Sequence, residues 1–383
     1  MISNAGKLSC QDLLKKDVLE SGLCTGCGAC VGFCPYQVIY HDRTVQLHRC
    51  DLDEGKCYAF CPRTTVDLST LRKKLFDIAD LTPEIGAVKG YYYSHATDQK
   101  LREIAQHGGT VTALMELALT EGIIDSAIIS AGNWNIQQAS LQVKDKADLR
   151  KNTGSKFTVS PTVSAFNQIA SEDAGKIGIV VTPCQALALA KMKLKPLKGD
   201  ANHIDKLKLV IGLYCGWALS ADKFKALLSH NDIDLTSLTG MDIPSGKKAL
   251  ELHTRYGTKL IPFENVQDCV RDACGYCFDS TAEYADISVG SARFGKDWEE
   301  MRKWNQLIVR SRKGSELFDL AVKRGILEIR EASAESLKEL KKAASEKKKK
   351  ALKNIIRKTG STKKLLYLNN HDPIVQKFLG KIK

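Results

Sequence analysis

The central part of the chain alternates short apolar runs, rich in β-branched residues, with longer amphipathic stretches. Apolar residues spaced three and four positions apart, as in residues 107–122, predict helices. The short runs predict strands, at residues 123–130, 176–181, 209–214, 285–290 and 306–310. This alternation predicts an α/β core in which helices flank a largely parallel or mixed sheet.

Length and composition are those of a globular protein with a sizeable core. The chain has 383 residues, of which 43% are hydrophobic. The first ten residues contain no apolar segment of the signal-peptide type, and nowhere do about 18 consecutive apolar residues occur. We therefore expect no membrane span and a cytoplasmic location, either free or at the periphery of a membrane complex. In that reducing compartment the 13 cysteines are expected to serve metal or redox chemistry rather than disulfides.

The positive charge is concentrated at the carboxyl end. The formal net charge is +13, and residues 338–383 contain 15 Lys and Arg against 3 Asp and Glu. This region predicts a basic, solvated helical extension that either docks an acidic partner surface or only aids solubility. The rest of the chain is nearly neutral, and no aromatic residue interrupts the lysine-rich stretch 337–358, so we expect no nucleic-acid partner.

Four cysteines near the amino end have the spacing C-x2-C-x2-C-x3-C-P. They are Cys24, Cys27, Cys30 and Cys34. This is the run of bacterial ferredoxins with two clusters, in which the first three thiolates bind one cluster and the fourth binds the other. Gly26 and Gly28 allow the sharp turns that bring the backbone close to a cluster. Zinc usually takes two separated pairs of ligands, so we predict an iron–sulfur site.

A second, shorter run supplies Cys50, Cys57 and Cys61, and the last is again followed by proline. By the crossing rule Cys61 joins the first three cysteines, while Cys34 joins Cys50 and Cys57. The second cluster is therefore one thiolate short. Its remaining ligand could be Asp53, Glu54, His48 or the distant Cys10, or the cluster could be a three-iron species.

A third group of cysteines lies in the predicted α/β core. Cys274 and Cys277 have the C-x2-C spacing that zinc, thiol redox and iron–sulfur sites share. Cys184 and Cys215 each follow a predicted strand, at the carboxyl ends where open α/β sheets bind their ligands. We therefore expect these four thiols to converge on a third cluster. Two alternatives stay open: Cys184 and Cys215 are buried apolar residues, or Cys269 takes the place of Cys215.

Glycine and hydroxyl residues open the predicted helix of residues 107–122. The N–H groups and positive dipole at such a helix start favour an anion, so we predict a phosphate or pyrophosphate site. A tight turn with a threonine cap would explain the same residues. A second loop adds small donors and a lysine, and one more candidate follows a strand. The candidate contacts are Gly108, Gly109, Thr110 and Thr112, then Gly154, Ser155 and Lys156, and finally Thr182.

Taken together, these motifs resemble the coenzyme F420 hydrogenase and dehydrogenase beta-subunit family. The resemblance runs from about residue 108 to residue 314 and rests on the segments HGGTVTALMELALTEGIIDSAII, GSKFTVSP, TPCQALAL, IGLYCG, CGYCFDSTAEYADISVGS and WNQLIVRSRKG. The ferredoxin-like amino end is similar to the arrangement in the input subunit of the F420H2 dehydrogenase complexes.

The resemblance implies an FAD-binding α/β core with a 4Fe-4S cluster of its own, in which the flavin takes a hydride from the reduced deazaflavin coenzyme and passes single electrons onward. Carried over onto this sequence, it implies FAD contacts at Gly108, Gly109, Thr110, Thr112, Ser155 and Lys156. It implies that the core cluster is held by Cys274, Cys277, Cys184 and Cys215. Relatives in the chlorophyll pathway use ferredoxin electrons, so the family does not fix the electron donor.

We therefore expect a flavin and iron–sulfur oxidoreductase subunit in three parts: a ferredoxin-like α+β domain (1–72), an FAD and iron–sulfur core (73–332) and a basic extension (333–383). It would exchange electrons between a hydride carrier, reduced coenzyme F420, and a larger redox complex. The expected partner is a formate dehydrogenase, a hydrogenase, a heterodisulfide reductase or a quinone-linked complex. The alternatives are a homologue that uses ferredoxin or NAD(P)H, and a flavin-free electron-transfer adaptor. Because the chemistry is flavin-centred, no catalytic side chain is assigned.

Overall fold

The computed structural model describes residues 8–32, 34–131, 139–172, 175–194, 202–244, 247–292 and 297–382. Strands are numbered in chain order: β1 Gln37–Tyr40, β2 Arg43–Gln46, β3 Leu81–Thr82, β4 Gly86–Ala87, β5 Gly90–Ala96, β6 Ser126–Ser130, β7 Ser140–Val143, β8 Ile177–Val181, β9 Leu207–Leu213, β10 Leu238–Asp242, β11 Ala249–Thr254, β12 Gly257–Pro262, β13 Ile287–Ser291, β14 Asn305–Val309 and β15 Leu327–Glu331.

The α-helices are numbered in the same way: α1 Cys10–Leu14, α2 Lys56–Phe60, α3 Leu68–Leu75, α4 Gln99–Ile104, α5 Thr110–Thr120, α6 Lys146–Lys151, α7 Thr162–Ser171, α8 Pro183–Leu194, α9 Ala221–His230, α10 Phe263–Asp268, α11 Trp298–Met301, α12 Arg312–Lys323, α13 Ala334–Thr359 and α14 Pro373–Leu379.

A mixed eight-stranded sheet with the order β15-β5-β14-β13-β9-β8-β6-β7 forms the centre of the fold. Its four inner strands β13, β9, β8 and β6 are parallel, and antiparallel strands extend it on both sides. The parallel strands are mostly buried, and their centres are apolar, because helices cover both faces of the sheet. The predicted α/β core with a mixed sheet is therefore confirmed.

Neighbouring residues of the inner strands point into two different cores. On β9, Val210 faces the core formed by α7 and α8, while Leu209 and Ile211 face the core formed by α5 and α12. On β6, Ile128 and Ile129 divide in the same way. This alternation follows from the two-residue period of a strand, and it places the carboxyl ends of β8 and β9 between helical layers.

The cysteine-rich amino-terminal region packs directly against α7 and α8. The Val163 N–H donates to the Cys27 carbonyl over 3.2 Å, and the Asn167 side-chain amide donates to the Val31 carbonyl over 2.6 Å. Cys27 and Phe60 belong to the same apolar cluster as the inner face of α8. This region holds the hairpin β1–β2 and short helices, and it shares a core with the central sheet.

The carboxyl-terminal region is helical, but it is not the solvated tail that was predicted. Helix α13 begins after the N-cap Ser333 and ends at Thr359, where Gly360 follows in the left-handed conformation that favours glycine. Its residues Leu352 and Ile355 are fully buried in the core that also contains α8. The solvated lysines lie on only one face of the helix. The helix is therefore amphipathic, which the number of lysines in the sequence did not indicate.

The five predicted strands are confirmed, with boundaries within a few residues of those expected. Helix α5 also forms, beginning at Thr110 rather than 107. The sequence did not predict β5, a tyrosine-rich strand between β15 and β14, or the separate antiparallel sheet β10-β11-β12. Among the described residues, no helix is both long enough and apolar enough to cross a membrane.

Candidate functional site

Cys24, Cys27, Cys30 and Cys61 form a first cysteine set, with the crossed membership that the ferredoxin spacing predicts. Burial raises the pKa of Cys30 well above its ordinary value, and the adjacent thiolates of Cys61, Cys24 and Cys27 raise this pKa further. Cys27, Cys30 and Cys61 are buried and Cys24 is half-buried. Thiols that repel one another in a buried space are expected where a cationic metal centre normally balances their charge.

Cationic residues hold the backbone of this first set. Arg271 donates to the Cys24 carbonyl over 2.7 Å and forms an ion pair with Asp42. Lys191, on α8, is buried and donates to the Cys61 carbonyl over 2.6 Å. The backbone N–H of Arg63 donates to the Cys61 Sγ over 3.4 Å. Positive charge and N–H groups beside the sulfurs favour the thiolate forms that an iron cluster requires.

A second cysteine set combines Cys34, Cys50 and Cys57 with Cys10 from α1. The Sγ atoms of Cys10 and Cys57 are 3.9 Å apart. Burial, then the charges and hydrogen bonds of Cys57 and Cys50, raise the pKa of Cys10 to about 12. Burial is also the main reason that the pKa of Cys57 is raised, and the charge of Cys34 adds to it. The four thiols therefore surround one region.

Cys184, Cys215, Cys274 and Cys277 form the third set, at the carboxyl ends of β8 and β9. Burial raises the pKa of Cys215, and the charges of Cys274, Cys184 and Cys277 raise it further. The Ala218 N–H donates to the Cys274 Sγ over 3.3 Å. In contrast, Cys269 lies in the apolar cluster beside α9 and α10 and points its thiol at backbone carbonyls. The geometry therefore favours Cys215 over Cys269 as the fourth cysteine of the third set.

The third set is also surrounded by positive charge. Burial alone would raise the pKa of Cys277, but Lys347 and Arg63 outweigh burial and lower it. The Lys347 ammonium, on α13, donates to the carbonyls of Cys215 and Gly216 over 2.6 and 2.7 Å. A small cavity lies beside Cys184 and Cys277. The donor chemistry and the adjacent space both fit a cluster at this position.

The three cysteine sets follow one another in space. The second and first sets adjoin because Cys57 and Cys61 are one turn apart at α2. The first and third sets adjoin because the charges of Cys184 and Cys61 both act on buried Cys27 and raise its pKa, after burial itself. The order is therefore second, first, third. Within the described residues, no three His, Cys or carboxylate side chains are arranged to hold a single metal ion.

The predicted anion-binding turn before α5 is partly committed to packing. Gly109 has a φ of 74° and caps the helix, and a Cβ on Gly108 would lie 2.9 Å from the Ser94 carbonyl. Thr110 is fully buried and its hydroxyl donates to the same carbonyl over 3.2 Å. The Thr110 N–H donates to the Asn305 side chain over 3.3 Å. These residues shape the turn, whereas the hydroxyl of Thr112 lies 3.3 Å from that of Thr153, next to the second candidate loop.

The loop at Gly154–Lys156 is held next to this turn. The Ser155 N–H donates to the Gln106 side chain over 3.2 Å, and Gln106 in turn donates to Asp242 over 2.8 Å. Lys156 donates to the carbonyls of Asn152 and Gly154, and burial lowers its pKa to about 8. A cation that its surroundings desolvate is well suited to pair with a bound phosphate.

Thr182 connects the third cysteine set to the segment that follows this loop. Its hydroxyl lies 3.4 Å from the Cys184 Sγ and donates to Gln185, whose amide donates to the Ser160 carbonyl. The hydroxyls of Thr158 and Ser160 are buried and have no hydrogen-bond partner among the described residues. Buried polar atoms without partners are uncommon in folded proteins, and they fit a polar ligand along this loop.

Comparisons with known proteins agree with this layout. The family models for the amino-terminal and carboxyl-terminal parts of the coenzyme F420 hydrogenase/dehydrogenase beta subunit match residues 91–167 and 174–335. The coenzyme F420 hydrogenase beta subunit of Methanothermobacter thermautotrophicus is 30% identical over 279 residues, which are 71% of this chain and 95% of that protein. This chain belongs to the coenzyme F420 hydrogenase/dehydrogenase beta-subunit family.

Other members of the family have different sizes. The coenzyme F420-dependent sulfite reductase of Methanocaldococcus jannaschii is 28% identical over 319 residues, but this chain spans only 46% of its length. A component of the F420H2 dehydrogenase of Methanosarcina mazei is 23% identical over 79% of this chain and 84% of that component. A chain of the F420-reducing NiFe hydrogenase complex from Methanosarcina barkeri superposes with a TM-score of 0.65 at 27% identity, covering 72% of this chain and 94% of that one.

Parts of the site lie outside the matched family regions. A model of the 4Fe-4S binding domain matches residues 18–40, which contain the first cysteine run but neither Cys10 nor Cys50. The beta-subunit models end at residue 335, before Lys347. Sequence reasoning missed Lys347 and Lys191, because nothing in the spacing of surface-type lysines marks the few that fold inward.

Proposed function

We propose that this chain is an electron-transfer subunit of an F420-linked oxidoreductase, with bound FAD and three 4Fe-4S clusters. The observation that carries this proposal is the arrangement of the cysteines. Twelve of the 13 fall into three sets of four, and the first set adjoins both others. Thr182 and Gln185 join the third set to Ser160, which follows the candidate anion loop. FAD would supply hydride acceptance and release of single electrons, and iron–sulfur clusters would supply one-electron steps.

The chain's own residues would bind the pyrophosphate of FAD between α5 and the loop at Gly154–Lys156. Thr112 and the N–H groups of the loop offer hydrogen bonds, and Lys156 offers a desolvated positive charge. The hydroxyls of Thr158 and Ser160 offer further donors on the segment that leads from this loop to Gln185 and the third cysteine set. This placement supports a flavin close to the third set rather than at the amino-terminal end.

The chain's cationic residues would set the electrical environment of the cysteine sets. Lys347 and Arg63 act on the third set, while Lys191 acts on the first. Positive charge stabilises the reduced, more negative form of a cluster and so raises its potential. Beside the second set, Cys50 is half-buried and the apolar side chains of Leu47 and Leu52, which flank it, are exposed. These features support the second set as the end that faces the partner complex.

Coenzyme F420 is proposed as the hydride carrier because the relatives named above are F420-linked hydrogenase, dehydrogenase and sulfite reductase proteins. The proposed partner is a redox complex of the hydrogenase, formate dehydrogenase, heterodisulfide reductase or quinone-linked type. The beta subunit of an F420-dependent formate dehydrogenase from Methanococcus maripaludis is among the relatives, at 24% identity over 64% of this chain.

The test is anaerobic purification followed by analysis of cofactors and of their reduction. We expect FAD to be released on denaturation, with about twelve iron atoms per chain for three four-iron clusters. Parallel additions of F420H2, NADH and reduced ferredoxin should bleach the flavin with F420H2 fastest. Iron without flavin would instead identify a flavin-free adaptor, and bleaching by NADH alone would refute the proposed donor.

A further inference from the structure

We propose that Cys10 is the fourth ligand of the cluster bound by Cys34, Cys50 and Cys57. The inference rests on the proposed iron–sulfur function and deepens it, because it makes the second cluster a complete four-iron centre. It also gives helix α1 the role of supplying a ligand. This helix precedes the ferredoxin run and lies outside the matched 4Fe-4S motif at residues 18–40.

The position of Cys10 separates it from the other possible ligands. Its side chain is 2% exposed and its Sγ lies 3.9 Å from that of Cys57. His48, Asp53 and Glu54 are all exposed in the structure. Cys10 is therefore buried among the thiols of the second set, whereas each competing residue lies at the surface.

The residues around Cys10 hold α1 against the loop that carries Cys50. The Cys10 N–H donates to the Leu52 carbonyl over 2.8 Å. The next residue, Gln11, is buried; its side chain accepts from the Cys50 N–H over 2.9 Å and donates to the His48 carbonyl over 2.8 Å. The oxygen and the nitrogen of the Gln11 side-chain amide both form hydrogen bonds to the loop that carries Cys50. Cys10 and Cys50 are therefore held in fixed positions relative to each other.

The start of α1 is itself fixed by a capping box. The Ser9 hydroxyl accepts from the Asp12 N–H over 3.1 Å, and the Asp12 carboxylate accepts from the Ser9 N–H. This reciprocal cap determines where a helix of only five residues begins, and thus where Cys10 projects. The capping box therefore holds Cys10 in a defined position, although Cys10 is the first residue of the helix.

Gly55 keeps the space around the two thiols open. A Cβ at this position would lie 2.5 Å from the Cys10 Sγ and 3.6 Å from the Cys57 Sγ. The φ of Gly55 is −151°, a value open to any residue, so the need for glycine is steric. A residue without a side chain between two ligand candidates is expected where a bulky inorganic group must fit.

Four thiolates are the usual ligand set of a four-iron cluster, and three would leave one iron open. With Cys10 included, the first and second sets each contain four cysteines, as in a two-cluster ferredoxin. The difference is that one ligand comes from upstream of the motif instead of from within the second run. The second run has one cysteine fewer than the first, and Cys10, 40 positions before Cys50, takes the place of the missing one.

The test compares the full-length wild type with C10A, C10S and the control C269S, all purified anaerobically. Cys269 is also buried but lies outside the three sets. Iron, sulfide and FAD are quantified, and EPR spectra are recorded for the oxidised and reduced proteins. We expect the C10A protein to lose between about one and four irons per chain and either to gain a three-iron EPR signal or to lose one reduced-cluster signal. FAD content should be unchanged, and C269S should match the wild type.

Wild-type iron content and EPR spectra in C10A would overturn the proposal. A wild-type protein that keeps a three-iron signal after reconstitution with excess iron and sulfide would also overturn it, and this measurement needs no variant to fold. The outcome is separable from the function proposed above, because missing flavin or absent reduction by F420H2 would refute that function while leaving the ligand assignment intact.

Discussion

Replacement of Lys348 by methionine tests whether α13 is an integral part of the site. The Lys348 side chain is 1% exposed, and its ammonium forms an ion pair with Glu283, which is 4% exposed. It also donates to the Phe278 carbonyl over 2.7 Å and lies 4.5 Å from the centre of the Phe278 ring. Phe278 follows Cys277 directly, so this lysine anchors the loop that carries Cys274 and Cys277, two members of the third cysteine set.

The expected loss of stability follows from the buried charge that K348M leaves unpaired. Methionine keeps most of the buried volume but leaves the Glu283 carboxylate without its principal partner. Loss of one member of a buried pair typically costs about 3–5 kcal/mol, because the remaining charge stays buried. If both charges are removed, in K348M/E283L, no unpaired charge remains, and the double variant should be less destabilised than either single variant.

The assay is hydrogen exchange of the anaerobic holoprotein, followed by mass spectrometry of peptides from α13. Local opening free energies are accessible in this way even where global unfolding is irreversible. A loss of about 3–5 kcal/mol corresponds to roughly two to nearly four powers of ten in the protection factor. The control is K349M, because the neighbouring pair of Lys349 with Glu346 is solvent-exposed and should contribute less than about 1 kcal/mol.

The dependence on pH has a defined sign. Burial raises the pKa of Glu283, while Lys348 and Arg72 lower it in part. Without Lys348 the pKa of Glu283 should rise further. The loss of stability in K348M relative to the wild type should therefore be smallest at low pH, where Glu283 is protonated in both the folded and the unfolded chain. Unchanged protection in K348M, or a double variant as unstable as the single one, would refute the buried-pair reasoning.

Three further predictions concern the site itself. K347Q should lower the midpoint potential of one cluster in a redox titration without loss of iron, because a cation beside the third cysteine set is removed, and K347R should keep the wild-type potential. FAD affinity, measured by titration of the apoprotein, should be full below about pH 8 and should fall above it as Lys156 loses its charge; K156M should bind weakly with no such pH dependence. G26A should lose iron because a Cβ would overlap the Asp42 carbonyl, whereas G22A, with the same φ of 68° and no neighbour within 4 Å, should lose only modest stability.

The fold was predictable where local pattern and tertiary environment agree. The parallel strands β6, β8 and β9 are largely buried on both faces, so each contains a short apolar run that identifies it directly. Strand β5 reads GYYYSHA and lies next to antiparallel neighbours, where aromatic and polar residues are also accepted. Its place in the sheet depends on pairing with strands more than 200 residues away, which no local pattern can reveal.

The basic carboxyl end shows most clearly how composition misleads. A count of lysines describes Lys347, Lys348 and Lys349 as equivalent, yet the first lies at the third cysteine set, the second is buried with Glu283, and the third is solvated. Consecutive helical residues are about 100° apart around the axis, so the packing of α13 against the core assigns each lysine a different environment. The prediction of a solvated tail is therefore wrong for Lys347 and Lys348, whereas docking of a partner on the exposed face of α13 stays a prediction.

The sequence by itself determined the ligand chemistry, because the C-x2-C-x2-C-x3-C-P run encodes close turns whose thiolates can converge without any distant residue. It also determined the α/β class through the periods of its apolar residues. Where the sequence left several candidates open, as for Cys10 and Cys215, only the tertiary structure decided between them. Cys10 meets Cys57, Cys184 meets Cys274 and Cys277, and Lys347 meets Cys215, across separations that only packing of the whole chain can close. Short spacings fix local geometry, whereas long-range contacts depend on the burial of apolar faces elsewhere in the chain.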